Sequence, residues 1–228
     1  PCISSRPLRR PWRRLLRSRI GRRPMGLAPA ARVCLLTGAP SVMEPAPAAP
    51  AGARPGAVTG KSNEITAIPQ LLEVLEIEGT IVTIDAMGCQ TDIAEKIVEK
   101  NADYVLALKG NQGAMVDEVE NYFAQAEAVN FEGILCDAVG SKDTGHGRVE
   151  KREVYVIEEL DWLPQKDDWK KLKSIVMVVS ERILPDQPPS IEKRYYLSSL
   201  PACALNIARA IRSHWGIENQ AHWILDVA

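Results

Sequence analysis

The stretch TIVTIDAMGCQ, Thr80 to Gln90, decides how this chain is read. A short run rich in β-branched residues stops on one carboxylate, Asp85, just ahead of a glycine-containing turn. A continuous run of this kind suits a strand buried on both faces of a parallel sheet. Open α/β sheets bind their ligands beyond the carboxyl ends of such strands, so Asp85 is delivered to the edge where a ligand would sit. A second acid, Glu218, lies near the other end of the chain in HWGIEN, among histidines and tryptophans in a helical pattern. A strand-end aspartate with a late-helix glutamate is the layout of a metal-dependent phosphoryl-transfer site.

Outward from this strand, the pattern predicts alternating elements. Ser62 or Thr66 caps a helix with Pro69 in its first turn and Leu71, Leu72, Val74 and Leu75 on its apolar side, ended by Gly79. After the strand Thr80 to Asp85, a helix is expected over about Thr91 to Lys100, with Ile93, Ala94, Ile97 and Val98 on one side, and then a second buried strand, Asp103 to Lys109. The crossover between the strands is of roughly the minimum length for a parallel pair, so they are expected to be neighbours. A further helix, about Gln112 to Val129, carries Met115, Val119, Tyr122 and Phe123 at helical spacing.

Residues 131–199 read mostly as strands: GILCDAV, RVEKREVYVI, SIVMVVSERIL and KRYYLSSL. SKDTGHGR, with His146, reads as the loop between the first two, and a short helical piece around Trp162 to Leu172 joins the second and third. The expected fold class is therefore α/β, with an antiparallel extension and a closing helix from about Ala202.

Charge divides the chain. Residues 1–60 hold 11 Arg, no Lys and a single acid, Glu44, so they carry about +10, while residues 61–228 carry about −11. Ten of the sixteen prolines also fall in the first segment. It has no sustained helical or strand period and is expected to be disordered, with folded structure starting near Lys61. RPLRRPWRRLLRSRIGRR could be a transit peptide or a nucleic-acid-binding arm, although Pro7 and Pro11 interrupt it. Arg, Pro, Ala and Gly are also what GC-rich codons supply in any frame; with Pro1 at the start, a fragment or frame-shifted product is the preferred expectation.

The five scattered cysteines form no CxxC pair and suit free thiols in a reducing cytoplasm. Cys89 reads as a small buried side chain in a turn rather than a nucleophile. No apolar run reaches the roughly 18 residues of a membrane span. His214, Glu218 and His222 lie four apart along one helical stripe, beside Trp215, Asn219 and Trp223. Zinc is disfavoured because HExxH is missing and one helix cannot easily turn all three side chains to one ion. The tryptophans read as core packing. An acid flanked by bulky aromatics needs a positive partner or a metal.

SNEITAIPQLLEVL, TIVTIDAMGCQTDIAEKIVEKNADYVLALKGNQ, GHGRVEKREVYV, RYYLSSL and HWGIENQAHWILDVA together resemble the DDE transposases of bacterial insertion sequences, in the H-repeat-associated group. The resemblance runs from about Lys61 to Ala228. It implies an incomplete ribonuclease-H-like core with a β insertion over about 131–199, in which Asp85 matches the second catalytic acid and Glu218 the third. It also implies DNA (transposon ends and target) as substrate, and a synaptic homodimer. Two Mg2+ ions about 3.5–4 Å apart would activate the attacking oxygen and stabilise the leaving one, held by carboxylates. Although 133 positions separate Asp85 from Glu218, a fold can join strand end and helix.

One departure concerns the first catalytic aspartate, which the family carries on an opening strand; residues 1–43 contain no acid, so this chain alone is expected to be inactive. Where neighbouring groups place a tyrosine and an arginine before the glutamate, Ile211 and His214 stand here; Arg212, or His214 when protonated, is the proposed phosphate contact instead. Lys109 joins them as a DNA-binding candidate, in a loose group with Lys96 and Lys100 near the strand ends. Two alternatives remain: a non-catalytic remnant that binds DNA or intact transposase, and a Rossmann-like small-molecule enzyme, for which GNQG after Lys109 is a weak phosphate-loop match.

Overall fold

The computed structural model describes residues 33–36, 64–145, 147–185 and 187–214, with backbone alone at 33–36 and 64–66. Seven strands form one mixed sheet: β1 (Val33–Leu36), β2 (Ile81–Ile84), β3 (Asp103–Leu108), β4 (Cys136–Gly145), β5 (Arg148–Ile157), β6 (Ser174–Ile183) and β7 (Ser190–Ser198). Their order is β1-β2-β3-β7-β6-β5-β4. The first three are parallel, and from β3 onward every pairing is antiparallel. Helices α1 (Glu64–Val74), α2 (Thr91–Glu99) and α3 (Gly113–Ala128) precede the antiparallel part, and α4, described over 204–214, follows it.

Side-chain alternation explains why the strands are so apolar. Val82 and Ile84, Tyr104, Leu106 and Leu108, Tyr155 and Ile157, Ile175 and Met177, and Tyr195 and Leu197 turn to one face, where Leu72 of α1, Ile93 and Ile97 of α2 and Phe123 of α3 meet them. The intervening residues, Ile81, Val105, Val154, Val156, Val176, Val178 and Tyr196, turn to the other face and pack with Ala204, Ile207, Ala210 and Ile211 of α4. The result is three layers, helices on both sides of the sheet.

The parallel pairing of β2 with β3 agrees with the sequence reading, in register Ile81↔Asp103 through Ile84↔Leu106. The antiparallel strands continue the same sheet: β7, last in the chain, lies against β3, Val105↔Ser198 through Leu108↔Tyr195. This satisfies the N–H and C=O groups that β3 would otherwise present as an open edge.

Four local features differ from expectation. Pro69 lies inside α1 beyond its first turn, where its ring removes one intrahelical bond, and burial of Leu72 holds the helix in place. SKDTGHGR is less a loop than a hairpin: Cys136–Gly145 stays paired with Arg148–Ile157, down to Gly145↔Arg148. Instead of a helical piece, the Trp162 region holds turns and a single 3-10 turn, Lys166–Asp168, while Leu163, Trp169 and Leu172 reach the core. Finally, Val33–Leu36, inside the segment expected to be disordered, forms β1 alongside β2 in register Val33↔Ile81 through Leu36↔Ile84. VCLL is apolar and partly β-branched, and β2 offers it an edge.

In the outer half of the β4–β5 hairpin the β4 side chains are exposed and those of Val149 to Glu153 are only part-buried. Charge pairs replace apolar packing there: Lys151 with Glu181 across strands at 2.8 Å, and Arg152 with Glu150 at 2.6 Å.

Candidate active site

Asp85 directly follows β2 and begins a tight 3-10 turn, Ala86–Gly88. Its backbone is extended, φ −68° and ψ 171°, its carbonyl accepts a bond from Gly88 N at 3.0 Å, and its carboxylate makes no capping bond. The side chain is exposed. Only glycine fits at position 88, because a methyl group there would collide with Ile84 Cγ2 and lie 2.9 Å from Ile68 Cδ1. Cys89 is fully buried, and burial pushes its thiol up to about 12, so it is neutral and unreactive at neutral pH.

Asp85 follows Thr83 by two residues and so shares its side of the sheet, the side covered by α4. Thr83 Oγ1 and His214 Nδ1 are 3.1 Å apart, both buried. Thr83, Ile84, Asp85, Val105, Ala107, Tyr196, Ile211 and His214 line one shallow recess. Thus α4 crosses much of the sheet. Near its start, Asp137 Oδ2 of β4 accepts the Ala204 N–H at 2.8 Å and Glu158 Oε1 accepts the Ala202 N–H at 2.5 Å; at residue 214 the helix has reached β2. Acceptors at a helix N-terminus satisfy orphan donors and complement the dipole.

The other candidate residues are placed unevenly. Arg212, one side of α4 away from the recess, bonds Asp143 Oδ2 of the β4–β5 hairpin at 2.8 Å. His214 faces the sheet, not solvent. Lys109 is exposed just after β3, on the same sheet edge as Asp85. Lys96 and Lys100 do not group with it: Lys96 binds Glu73 Oε1 and Lys100 binds the Glu73 and Leu75 carbonyls, joining α2 to α1. Lys96 lies in the last turn, and Lys100 at the C-cap, of a helix that runs away from the Asp85 edge. Glu218, His222, the tryptophans at 215 and 223, and His146 lie outside the described residues. Among the described residues no three His, Cys, Asp or Glu side chains cluster as a metal site.

Sequence reasoning missed three neighbours of Asp85. Thr83 was a polar residue in an apolar strand, a usable signal for a contact on that face. GNQG was weighed only as a phosphate loop, yet Asn111 Nδ2 donates to Ala86 O and Gln112 Nε2 to Cys89 O, each at 2.6 Å.

Residues 56–228 match the family model for the transposase DDE domain. The chain belongs to this family. The transposase domain is 46% identical over 171 residues to "H repeat-associated putative transposase YhhI" of Escherichia coli K12, covering 73% of this chain and 44% of that protein. It is 42% identical, over 73% of this chain and 43% of the relative, to "Putative transposase YncI" of Escherichia coli O157:H7. The resemblance to the H-repeat-associated group therefore holds, and the chain spans less than half the length of these relatives. Among solved structures, that of Streptomyces venezuelae DesVI aligns over 68% of this chain and 62% of its own at 11% identity, with a TM-score of 0.25, too low to bear on the fold. No helix among the described residues is long and apolar enough to cross a membrane.

Proposed function

We propose that this transposase domain contributes an incomplete ribonuclease-H-like catalytic core for cutting and joining DNA at insertion-sequence ends, with Asp85 and Glu218 as its two metal-binding acids. The observation that carries the reading is the Thr83–His214 contact, which ties α4 to the strand that ends on Asp85. Glu218 lies outside the described residues; in the sequence it follows His214 by four positions, the i, i+4 spacing of the helical pattern that also holds His214.

The donor chemistry fits a divalent cation. Asp85 offers an exposed hard-oxygen carboxylate with no capping bond, and Glu218 would supply the second. When bound, Mg2+ ions would activate an attacking oxygen and stabilise a leaving one at the phosphodiester. The protein's own part is placement: β2 sets the position of Asp85, α4 shields the apolar floor of the recess, and Lys109 gives a positive charge on the same edge for a DNA phosphate. Arg212 and His214 would reach phosphate only by exchanging their present partners.

A second reading has its own observation. The strand beside β2 reads VCLL and brings no carboxylate, and residues 1–43 contain no acid. We therefore propose that this polypeptide by itself binds transposon-end DNA or a transposase copy without cutting. A strand-cleavage and strand-transfer assay on insertion-sequence ends with Mg2+ or Mn2+ separates the two. Gel-shift binding with no cleavage is expected, whereas turnover abolished by Asp85→Ala would establish activity and remove the second reading.

A further inference from the structure

We propose that Asn111 and Gln112 are positioning residues for Asp85: from the loop after β3 they clamp both ends of the turn that presents this carboxylate. The inference rests on the reading of Asp85 as a metal-binding acid and adds to it the device that fixes its aim. Residues Ala86 to Cys89 form a single tight turn, closed by the Cys89 N–H bonding Ala86 O at 3.1 Å. The consecutive amides reinforce both of its ends: Asn111 Nδ2 gives Ala86 O a second donor and Gln112 Nε2 bonds Cys89 O, both at 2.6 Å.

The clamp comes from a separate part of the chain. β3 is hydrogen-bonded beside β2, so the loop that follows β3 emerges next to the turn that follows β2, and Lys109 to Gly113 makes a 3-10 turn that carries both amides toward it. Gly113, at φ +32° with open space around it, lets α3 start immediately after. From below, the turn is wedged by the fully buried Cys89 and by Gly88 against Ile84 and Ile68. Asp85 is thus held on its strand side by β2 and on its far side by two side-chain donors. A carboxylate that must meet a cation needs this support, since displacement of its backbone by a fraction of an ångström alters the ligand geometry.

The test uses Mn2+ alone as probe, on the full chain, followed by paramagnetic broadening of backbone amide NMR signals and by hydrogen exchange. In the unmodified chain Mn2+ should broaden residues 83–90 first, and Asp85→Asn should abolish that broadening. The double variant Asn111→Ala/Gln112→Ala should weaken Mn2+ binding about tenfold to a hundredfold, and speed exchange at Gly88, Cys89 and Gln90 while the β3 amides remain protected. If the double variant fails to fold, each single alanine variant is measured in the same way, with a tenfold loss still expected from at least one. Mn2+ affinity within twofold of the unmodified chain in a folded variant overturns the clamp while leaving Asp85 as the acid. Broadening that survives Asp85→Asn overturns the metal reading itself, and the clamp's proposed purpose with it.

Discussion

The two faces of the sheet are packed to different standards. One is covered by three helices and by the 158–173 connection, and buries Tyr104, Phe123, Trp169 and Leu197 in one continuous cluster. The other is covered, among the described residues, by α4 alone, whose contacts are mostly Ala204, Ile207, Ala210 and Ile211. Small residues let α4 lie close to the sheet, but they bury less apolar area and so contribute less stability. The polar pair Thr83–His214 and the exposed Asp85 sit on this thin side. The thick face holds the fold together, and the thin face leaves room for a charged group at its edge.

Substitution on each face gives the largest effect. Phe123 is fully buried and touches Tyr122 edge-on, with ring centroids 6.3 Å apart, so Phe123→Ala should cost about 3–5 kcal/mol in urea unfolding. Ile207 is equally buried, yet its helix can settle onto the sheet, so Ile207→Ala should cost about 2–3 kcal/mol, the low end for such truncations. Equal costs would mean that α4 is as rigidly packed as the opposite layer, and the distinction between the faces would fail.

Next comes an alkaline effect confined to the thick face. Burial holds the Cys89 thiol protonated up to about 12, whereas in the unfolded chain it ionises near its ordinary value of 9.0. The native state then binds the extra proton, so the stability this thiol contributes is complete below pH 9 and declines as pH rises toward 12, by at most about 1.4 kcal/mol per pH unit. Buried tyrosines such as Tyr195, also raised by burial, act in the same direction. The check is therefore a difference: between pH 9 and 11 the unfolding free energy of Cys89→Ala should fall less steeply than that of the unmodified chain. Parallel slopes would show that the thiol is not sealed in the turn.

What the sequence made legible follows the same division. Strands with a buried stretch announce themselves: Asp103–Leu108, and Arg148–Ile157 through its buried inner end Val154 to Ile157, were readable because burial fixes each residue's face there. Their partners were not, since pairing β7 with β3 joins residues some ninety positions apart in sequence and leaves no local period. The outer hairpin looked like a loop because SKDTG is solvated on both faces and so loses alternation. At the site, Asp85 was readable from the end of its apolar run. The Asn111 and Gln112 contacts were not, because short polar side chains in a loop look alike whether they meet solvent or a neighbouring carbonyl. Arg212 was read as a phosphate contact from its place near Glu218, with nothing in the sequence to show that the hairpin would bring Asp143 to it.

The anchors of α4 give the two smaller effects. Asp137→Ala removes the acceptor that β4 provides for the Ala204 N–H, and should cost about 0.5–2 kcal/mol, the range for a lost helix cap. Amide exchange should quicken in the first turn of α4 while α2 and α3 are unchanged; an unchanged first turn would mean that Glu158, bonded to the Ala202 N–H, anchors the helix by itself.

Arg212→Ala should matter least. Arg212 and Asp143 are 60% and 50% exposed, and an ion pair in that setting gains little in water once two flexible side chains are ordered. Asp143 also keeps Arg152 within 3.6 Å, so removing Arg212 does not leave it without a cation. A double-mutant cycle with Asp143→Ala should give a coupling below about 1 kcal/mol that shrinks in 0.5 M salt, where the Debye length is only about 4 Å. A coupling above about 2 kcal/mol that resists salt would make the hairpin a firm brace for α4. The thin face would then owe its geometry to the outer hairpin rather than to Thr83 and His214, and the contact to disturb in testing the site would be the one at the far side of the sheet.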